Sequence, residues 1–172
     1  MIGGEPAVAL ALHDTVDHPV ARIKWPNDLY LGDKKAGGIL IQNSVGGMFL
    51  QSSVVGIGLN VNQLEFDPAL PNPTSLAAAA GHAFDPELTM HQLFACLERR
   101  YLQLKAGRLT EIKTAYENVL FRRNVRSGFV KTAGDAPFEG VIRSIADSGH
   151  LNVEMPGGEL KAFDLKEIRM IV

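Results

Sequence analysis

The chain has 172 residues, 46% hydrophobic and 21% charged, with a formal net charge of −2 and a single cysteine. That is an ordinary globular composition, long enough for one compact domain plus a small second one. It offers no basic tract for nucleic acid or an anionic membrane surface and no apolar run of bilayer-spanning length.

One cysteine excludes an internal disulfide and fits a reducing compartment. The opening "MIGGEPAVALALHD" has no basic n-region of a signal peptide. The expectation is therefore a cytoplasmic protein. Cys96 sits in "LFACLERRY", which reads as a buried helix face, so it is expected to serve packing.

In chain order, Pro6 to about Thr15 reads as a helix with Glu5 in its first turn. "ARIKW" alternates like a strand and stops at Pro26. "DLYLGDKKAGGILIQNS" predicts a hairpin, with arms at Leu29–Leu31 and Gly38–Gln42 and a turn at "GDK". "MFLQSSVVGIGLNV" is a further strand. Consecutive antiparallel strands after a helix predict an α+β layer.

The Pro- and Asn-rich "NQLEFDPALPNPTSLAAAAG" marks a loop. In it, Thr74 or Ser75 caps a short Ala helix ending at Gly81. "DPELTMHQLFACLERRYLQLKAG" places Leu88, Leu93, Phe94, Leu97, Tyr101 and Leu104 at helical spacing and ends at Gly107. "LTEIKTAYENVLFRR" is another helix, expected to pair with it. From Asn124 the texture changes to four or five short strands with turn glycines, which predict a small β-barrel. The expected division is 1–123 and 124–172.

The chemistry concentrates in Arg22 to Gln42. Pro26 fixes its own φ and biases Trp25 toward extended geometry, so Asn27 and Asp28 leave the strand in a defined direction. Asp28 is a candidate oxygen ligand for Mg²⁺. Lys34 or Lys35 is a candidate fixed positive charge for a phosphate or carboxylate, with Lys34 the better candidate for a solvated hairpin tip. Gly37 and Gly38 let a ligand approach the backbone. In "GIGLNVN", Gly56 and Gly58 are small strand positions, and Asn60 at the end of the strand is a second candidate for a metal or nucleotide site. The five histidines show no zinc spacing, and no G-x-S-x-G nucleophile elbow is present. The residues alone point to an anion and metal site on a sheet.

Taken together, "KWPNDLYLGDKKAGGILIQ" and "VVGIGLNVN" closely resemble the catalytic core of the biotin protein ligases. That family carries a K-W-P-N-D block, a K-x-x-G-I-L strand and a G-x-G-x-N strand, here Lys24–Asp28, Lys35–Leu40 and Gly56–Asn60. The "LPNPTSL" loop and the late β segment look like the family's downstream loop and SH3-like C-terminal domain. The resemblance implies a class II synthetase-like α+β core, with a mixed or antiparallel sheet and packed helices, plus an SH3-like barrel.

It also implies ATP-dependent activation of biotin to biotinyl-5′-AMP and transfer to a lysine of a biotin carboxyl carrier domain. By the same resemblance Lys35 is catalytic, while Lys24, Trp25, Asn27, Asp28, Gly37, Gly38, Gly58 and Asn60 bind substrate. Asp28 and Asn60 hold Mg²⁺.

The family also carries an upstream G-R-G-R-x-G loop that nothing in the chain matches. The expectation is a truncated core, a poor ligase by itself, whose uncovered strand edges favour a homodimer. A lipoate–protein ligase or transferase and a non-catalytic accessory piece are the alternatives. No DNA-binding winged helix is visible, so no nucleic-acid partner is expected.

Overall fold

The computed structural model describes residues 4–47, 49–132, 134 and 136–172. Strands β1 (Ala21–Lys24), β2 (Asp28–Leu31), β3 (Lys34–Gly46) and β4 (Phe49–Leu59) form an antiparallel meander in the order β1-β2-β3-β4. Met48, placed by the sequence at the start of β4, lies outside the described residues.

The hairpin differs from expectation. Its turn is Gly32-Asp33, with Gly32 at φ 60, and β3 begins at Lys34 opposite Leu31. The cause is tertiary. Residues 72–74 lie alongside Lys35, whose N–H donates to the Asn72 carbonyl at 2.9 Å and whose carbonyl accepts from Thr74 N–H at 2.8 Å. Those bonds keep "KKAG" extended, and a bulge between Leu29 and Tyr30 absorbs the register shift.

Helix α1 (Gly4–Thr15) lies against this sheet and buries Ala7, Ala9, Leu10, Ala11 and Leu12. So many contiguous buried positions mean cover on more than one side. That cover is the sheet together with helices α3 (Pro86–Lys105) and α4 (Leu109–Asn118). The short α2 (Leu76–Ala80) starts at Ser75, whose Oγ accepts from Ala78 N–H at 3.1 Å, and ends at Gly81 with φ 78. At α3, Asp85 caps the N–H groups of Glu87 and Leu88, and Pro86 takes the first turn.

The expected α3–α4 contact exists, but α3 lies mainly along α1. An ionic tie reinforces that packing: Asp14 on α1 accepts from Arg99 at 2.9 Å and from Arg100 at 2.8 Å. Cys96 is buried, as its flanking pattern predicted.

Burial alone would raise the Asp14 pKa. Hydrogen bonds from His13, Arg99 and Arg100 outweigh it and hold the carboxyl below its ordinary value. A depressed folded-state pKa contributes stability above the unfolded value, and that contribution is lost as pH falls through the folded one. Asp14→Asn is therefore expected to lower the melting temperature at pH 7. The deficit should shrink as pH drops below the ordinary 3.8 of the free carboxyl. Paired melts of the two proteins from pH 7 to pH 2 check this; a deficit that grows on acidification would refute it.

The second sheet comprises β5 (Arg126–Lys131), β6 (Phe138–Ile145), β7 (Leu151–Glu154), β8 (Leu160–Phe163) and β9 (Ile168–Met170). All its pairs are antiparallel, in the order β8-β7-β6-β5-β9, and no β8–β9 pair occurs among the described residues. The rings of Phe129, Phe138 and Phe163 stack in series, with centroids 5.5 and 5.9 Å apart.

The buried side chains of both sheets form one contiguous cluster, running from Leu10 and Ile23 through Tyr116 to Phe129 and Val153. Polar bonds tie the β6–β7 segment to α4 and to the end of β1: Ile145 N–H donates to Glu117 at 2.9 Å, Lys113 to Asp147 at 2.6 Å and the Trp25 indole to the Gly149 carbonyl at 3.1 Å. The α+β expectation with antiparallel sheets and packed helices holds. Among the described residues no helix is long and apolar enough to cross a membrane.

Candidate functional site

In an antiparallel sheet, directly paired residues share a face. The register therefore sets Lys24, Asp28, Gly38 and Gly58 in one row across all four strands. Arg22, Tyr30 and Lys35 form a parallel row, and Leu40 pairs with Gly56. The opposite face carries Ile39, Ile41, Ile57 and Leu59, which pack toward the core.

The face thus has a charged end and a bare floor. Lys35 Nζ lies 2.5 Å from Asp28 Oδ1, with the two side chains 45% and 24% exposed. A Cβ on Gly38 would stand 2.8 Å from that Asp28 oxygen and 3.4 Å from Lys35 Nζ. A Cβ on Gly58 would meet nothing within 4 Å, and one on Gly56 only the Leu40 carbonyl at 3.7 Å. Leu40, 64% exposed, borders the floor as an apolar wall. At ordinary strand spacing the two-strand glycine floor is roughly 10 Å across.

Positive charge is in excess at the charged end. Burial holds the Lys24 ammonium below its ordinary pKa; Asp28 works the other way, and Lys35 and Arg169 of β9 add to the depression. Lys24 also stands 5.7 Å from the centre of the Tyr30 ring. Burial, and then the Asp28 charge, raises the pKa of the Tyr30 phenol. Lys24 and Lys35 thus share one carboxylate, an arrangement that favours a bound anion.

The other sequence candidates frame this face. The Trp25–Pro26 peptide is cis. The Trp25 indole points to the Gly149 carbonyl and fastens the strand end to the second sheet. Asn27 Nδ2 donates to the Ile39 carbonyl at 2.7 Å while its own carbonyl accepts from Ile39 N–H at 3.1 Å, stitching the turn to β3. Gly37 faces the other side, and a Cβ there would lie 2.6 Å from the Gly58 carbonyl. Asn60 Nδ2 donates to the Thr74 carbonyl at 2.9 Å, and the Asn60 backbone bonds Ala36 and Leu76. Lys34 is exposed. The structure therefore unites Lys24, Asp28, Lys35, Gly38 and Gly58 on one face, and turns Trp25, Asn27, Gly37 and Asn60 to holding that face in place.

Several contributors carried no site signal in the sequence. Tyr116 donates its hydroxyl to the Pro26 carbonyl at 2.7 Å, and burial pushes that phenol far above its ordinary pKa. Burial raises the Glu5 carboxyl, partly offset by a hydrogen bond with Asn27. Asn72 donates to the Asp33 carbonyl at 2.6 Å. Each acts over a long sequence separation, so no local motif signals it. Beneath the turn, a cavity of about 100 Å³ is lined by Glu5, Trp25, Pro26, Tyr116 and Gly149. A cleft of about 470 Å³ lies elsewhere, between the end of α1, α2 and the start of α3, and holds none of these residues. Among the described residues no group of three or more His, Cys, Asp or Glu could hold a metal ion.

The biotin/lipoate A/B protein ligase family matches residues 10–60, from within α1 to just past the end of β4. A biotin–[acetyl-CoA-carboxylase] ligase of Paracoccus denitrificans is 34% identical over 161 residues, covering 87% of this chain and 65% of that protein. The bifunctional ligase/repressor BirA of Bacillus subtilis is 31% identical over 144 residues, covering 82% of this chain and 44% of that protein. The chain thus spans about two thirds or less of the relatives it matches. Among solved structures, a biotin protein ligase of Aquifex aeolicus in complex with biotin and ATP superposes with a TM-score of 0.78 at 21% identity, covering 99% of this chain and 72% of that one.

Proposed function

We propose that the chain belongs to the biotin/lipoate A/B protein ligase family, and that its open sheet face binds biotinyl-5′-AMP and serves a biotin–protein ligase reaction. The observation that supports this most is the row Lys24–Asp28–Gly38–Gly58 with Lys35 set over it. In the first step a biotin carboxylate oxygen attacks the α-phosphorus of ATP, and the bond to pyrophosphate breaks. In the second, a lysine amine of a biotin carboxyl carrier domain attacks the acyl carbon; AMP leaves with the bonding pair and the amine loses a proton.

Lys35 is the catalytic residue of this reading. Its ammonium neutralises charge that develops on the phosphoryl and carboxylate oxygens, a role in which preorganised charge is most effective. Lys24 adds a second cation from the same face. Gly38 and Gly58 let the ligand lie on the backbone, and Leu40 offers apolar contact. Trp25, Asn27, Gly37 and Asn60 keep these groups in register, which is positioning rather than chemistry.

The residues fit Mg²⁺ only as a guest of the nucleotide. Asp28 offers the one carboxylate and already pairs with Lys35, while Asn60 has its amide N–H turned to Thr74. Mg²⁺ commonly binds through one carboxylate, substrate phosphates and water, and there it would balance the charge of the triphosphate.

We read residues 124–172 as a unit with an SH3-like barrel. The strand order and the short turn from β8 to β9 support that, and Arg169 of β9 reaches the field of Lys24. Buried, unpaired Cys96 fits a cytoplasmic setting.

The test is calorimetric titration with a non-hydrolysable biotinyl adenylate and its lipoyl counterpart. Biotinyl analogue binding that exceeds lipoyl binding at least tenfold is expected. Preference for the lipoyl compound would transfer the chain to the lipoate branch, and no binding of either would remove the adenylation reading.

A further inference from the structure

The cleft of about 470 Å³ between the end of α1, α2 and the start of α3 has the size of a small-molecule pocket. Its walls are largely apolar. Val16, Leu31, Leu76, Phe84 and Leu88 line it, and exposed Ala95 lines it from α3. An apolar cleft alone does not say what fills it, but the charges around this one do.

Asp14, Asp17 and Asp85 line the cleft, and among the described residues that line it there is no lysine or arginine. Two of the carboxylates are already answered. Asp14 accepts from Arg99 and Arg100, which do not line the cleft, and Asp85 caps the N–H groups of Glu87 and Leu88. Asp17 is different: it is exposed, and among the described residues it has no hydrogen-bond or ion-pair partner. Helix α1 ends at Thr15, which also lines the cleft, so the partial negative charge of the last helical carbonyls adds to that of Asp17. His18 turns its Nδ1 to the Val20 N–H at 3.4 Å.

The cleft therefore favours a cation. A bare metal ion does not fit, because among the described residues no group of three or more His, Cys, Asp or Glu could hold one. An ammonium group on an apolar body does fit. Its charge is met by Asp17 and the end of α1, its body by the leucines, and the Phe84 ring offers a face to either. We propose that this cleft binds a small organic amine, an apolar body of ring size that carries one ammonium group. None of Lys24, Asp28, Lys35, Gly38 and Gly58 lines it, so the inference does not rest on the ligase reading.

Three probes of one shape test it: 2-phenylethylamine, 2-phenylethanol and 3-phenylpropionate, which differ in the charge of the head group. Each is titrated into the ¹⁵N-labelled 172-residue chain at mildly alkaline pH, where histidine is neutral, and followed by amide chemical shifts. The amine is expected to saturate shifts around Val16, Leu76 and Leu88 with a Kd on the order of 1 mM, as suits so small a ligand. The alcohol should bind at least about fivefold more weakly, and the carboxylate more weakly still. Ala95→Trp, which fills the cleft from an exposed helix position, should weaken the amine at least about tenfold. Asp17→Asn should weaken it about three- to tenfold and leave the alcohol unchanged. Melting curves check that both variants are folded. The proposal is overturned if the amine gives no saturable shifts at the cleft, or if the alcohol or the carboxylate binds as well as the amine. Amine binding unchanged by Ala95→Trp or by Asp17→Asn overturns it too.

Discussion

Lys35→Ala is expected to weaken binding of a biotinyl adenylate analogue by roughly 10- to 100-fold, and Lys34→Ala by less than about threefold. The first figure is the worth of a charge-assisted hydrogen bond, about 1.5–3 kcal/mol, converted at tenfold per 1.4 kcal/mol. Two features push Lys35 toward the upper end. A bound ligand would cover an ammonium that is 45% exposed in the free protein and so strengthen its electrostatic interactions. Its loss would also leave Asp28 with only Lys24 as a neighbouring cation, facing an anionic ligand. Lys34 begins β3 with its side chain in solvent and has neither feature.

Thermal stability separates a binding effect from a folding one. A partly exposed ion pair contributes little to stability, about 0–1 kcal/mol, so the Lys35→Ala melting temperature should change by only a few degrees. Asp28→Asn provides a further check: combined with Lys35→Ala it should recover part of the lost affinity by removing the stranded negative charge. Titration calorimetry on the four proteins settles it. If Lys34→Ala proves the weaker binder, the assignment of Lys35 is wrong.

Gly58→Ala should lower adenylate affinity about 10- to 100-fold while leaving the protein as stable as before, or up to about 1 kcal/mol more stable. The two effects diverge because the new Cβ meets no protein atom within 4 Å yet projects from the face that carries Asp28 and Lys35. A methyl group there lifts the ligand off the backbone, and the free chain merely gains a less flexible unfolded state. Gly37→Ala is the counter-case. Its Cβ would lie 2.6 Å from the Gly58 carbonyl on the neighbouring strand, so the sheet must shift. A stability loss of about 1–3 kcal/mol is expected, the usual scale of overpacking. Adjacent glycines of one motif thus separate into an open-face position at Gly38 and a strand-packing position at Gly37, with Gly58 paired to the former. Chemical denaturation and calorimetry on both variants are the measurements. A Gly58→Ala protein that binds like the wild type would mean that the ligand does not lie on this floor.

The helices were legible in the sequence for local reasons. Asp85 with Pro86, Ser75 with Gly81 and the apolar spacing of α3 are capping and periodicity signals that act within a turn or two. The change of texture near Asn124 was legible too, because short strands and turn glycines are written locally. The motif residues Lys24, Asp28, Lys35, Gly38 and Gly58 could be picked out of the sequence, and so could the family they resemble.

What sequence alone did not decide is which of the motif residues share the open sheet face. Side chains alternate with a period of two along a strand, so a bulge at Leu29–Tyr30 or a start of β3 at Lys34 rather than Gly38 changes which neighbours share a face. That register depends on bonds from residues 72–74 to Lys35 and from Asn60 to Thr74. Trp25, Asn27 and Asn60 belong to the motif, yet their polar atoms are turned to Gly149, Ile39 and Thr74. The partners of Trp25, Asn27 and Asn60 lie 124, 12 and 14 residues away, beyond the reach of any local rule. The sequence by itself determined where the helices start and the chemistry-bearing residue types, because propensity, capping and spacing act over a few residues; it overran α4, which ends at Asn118, and misplaced the hairpin turn. The tertiary structure alone decided which of those residues meet on one open face and which hold it in place, because that choice rests on strand register and on hydrogen bonds between distant segments.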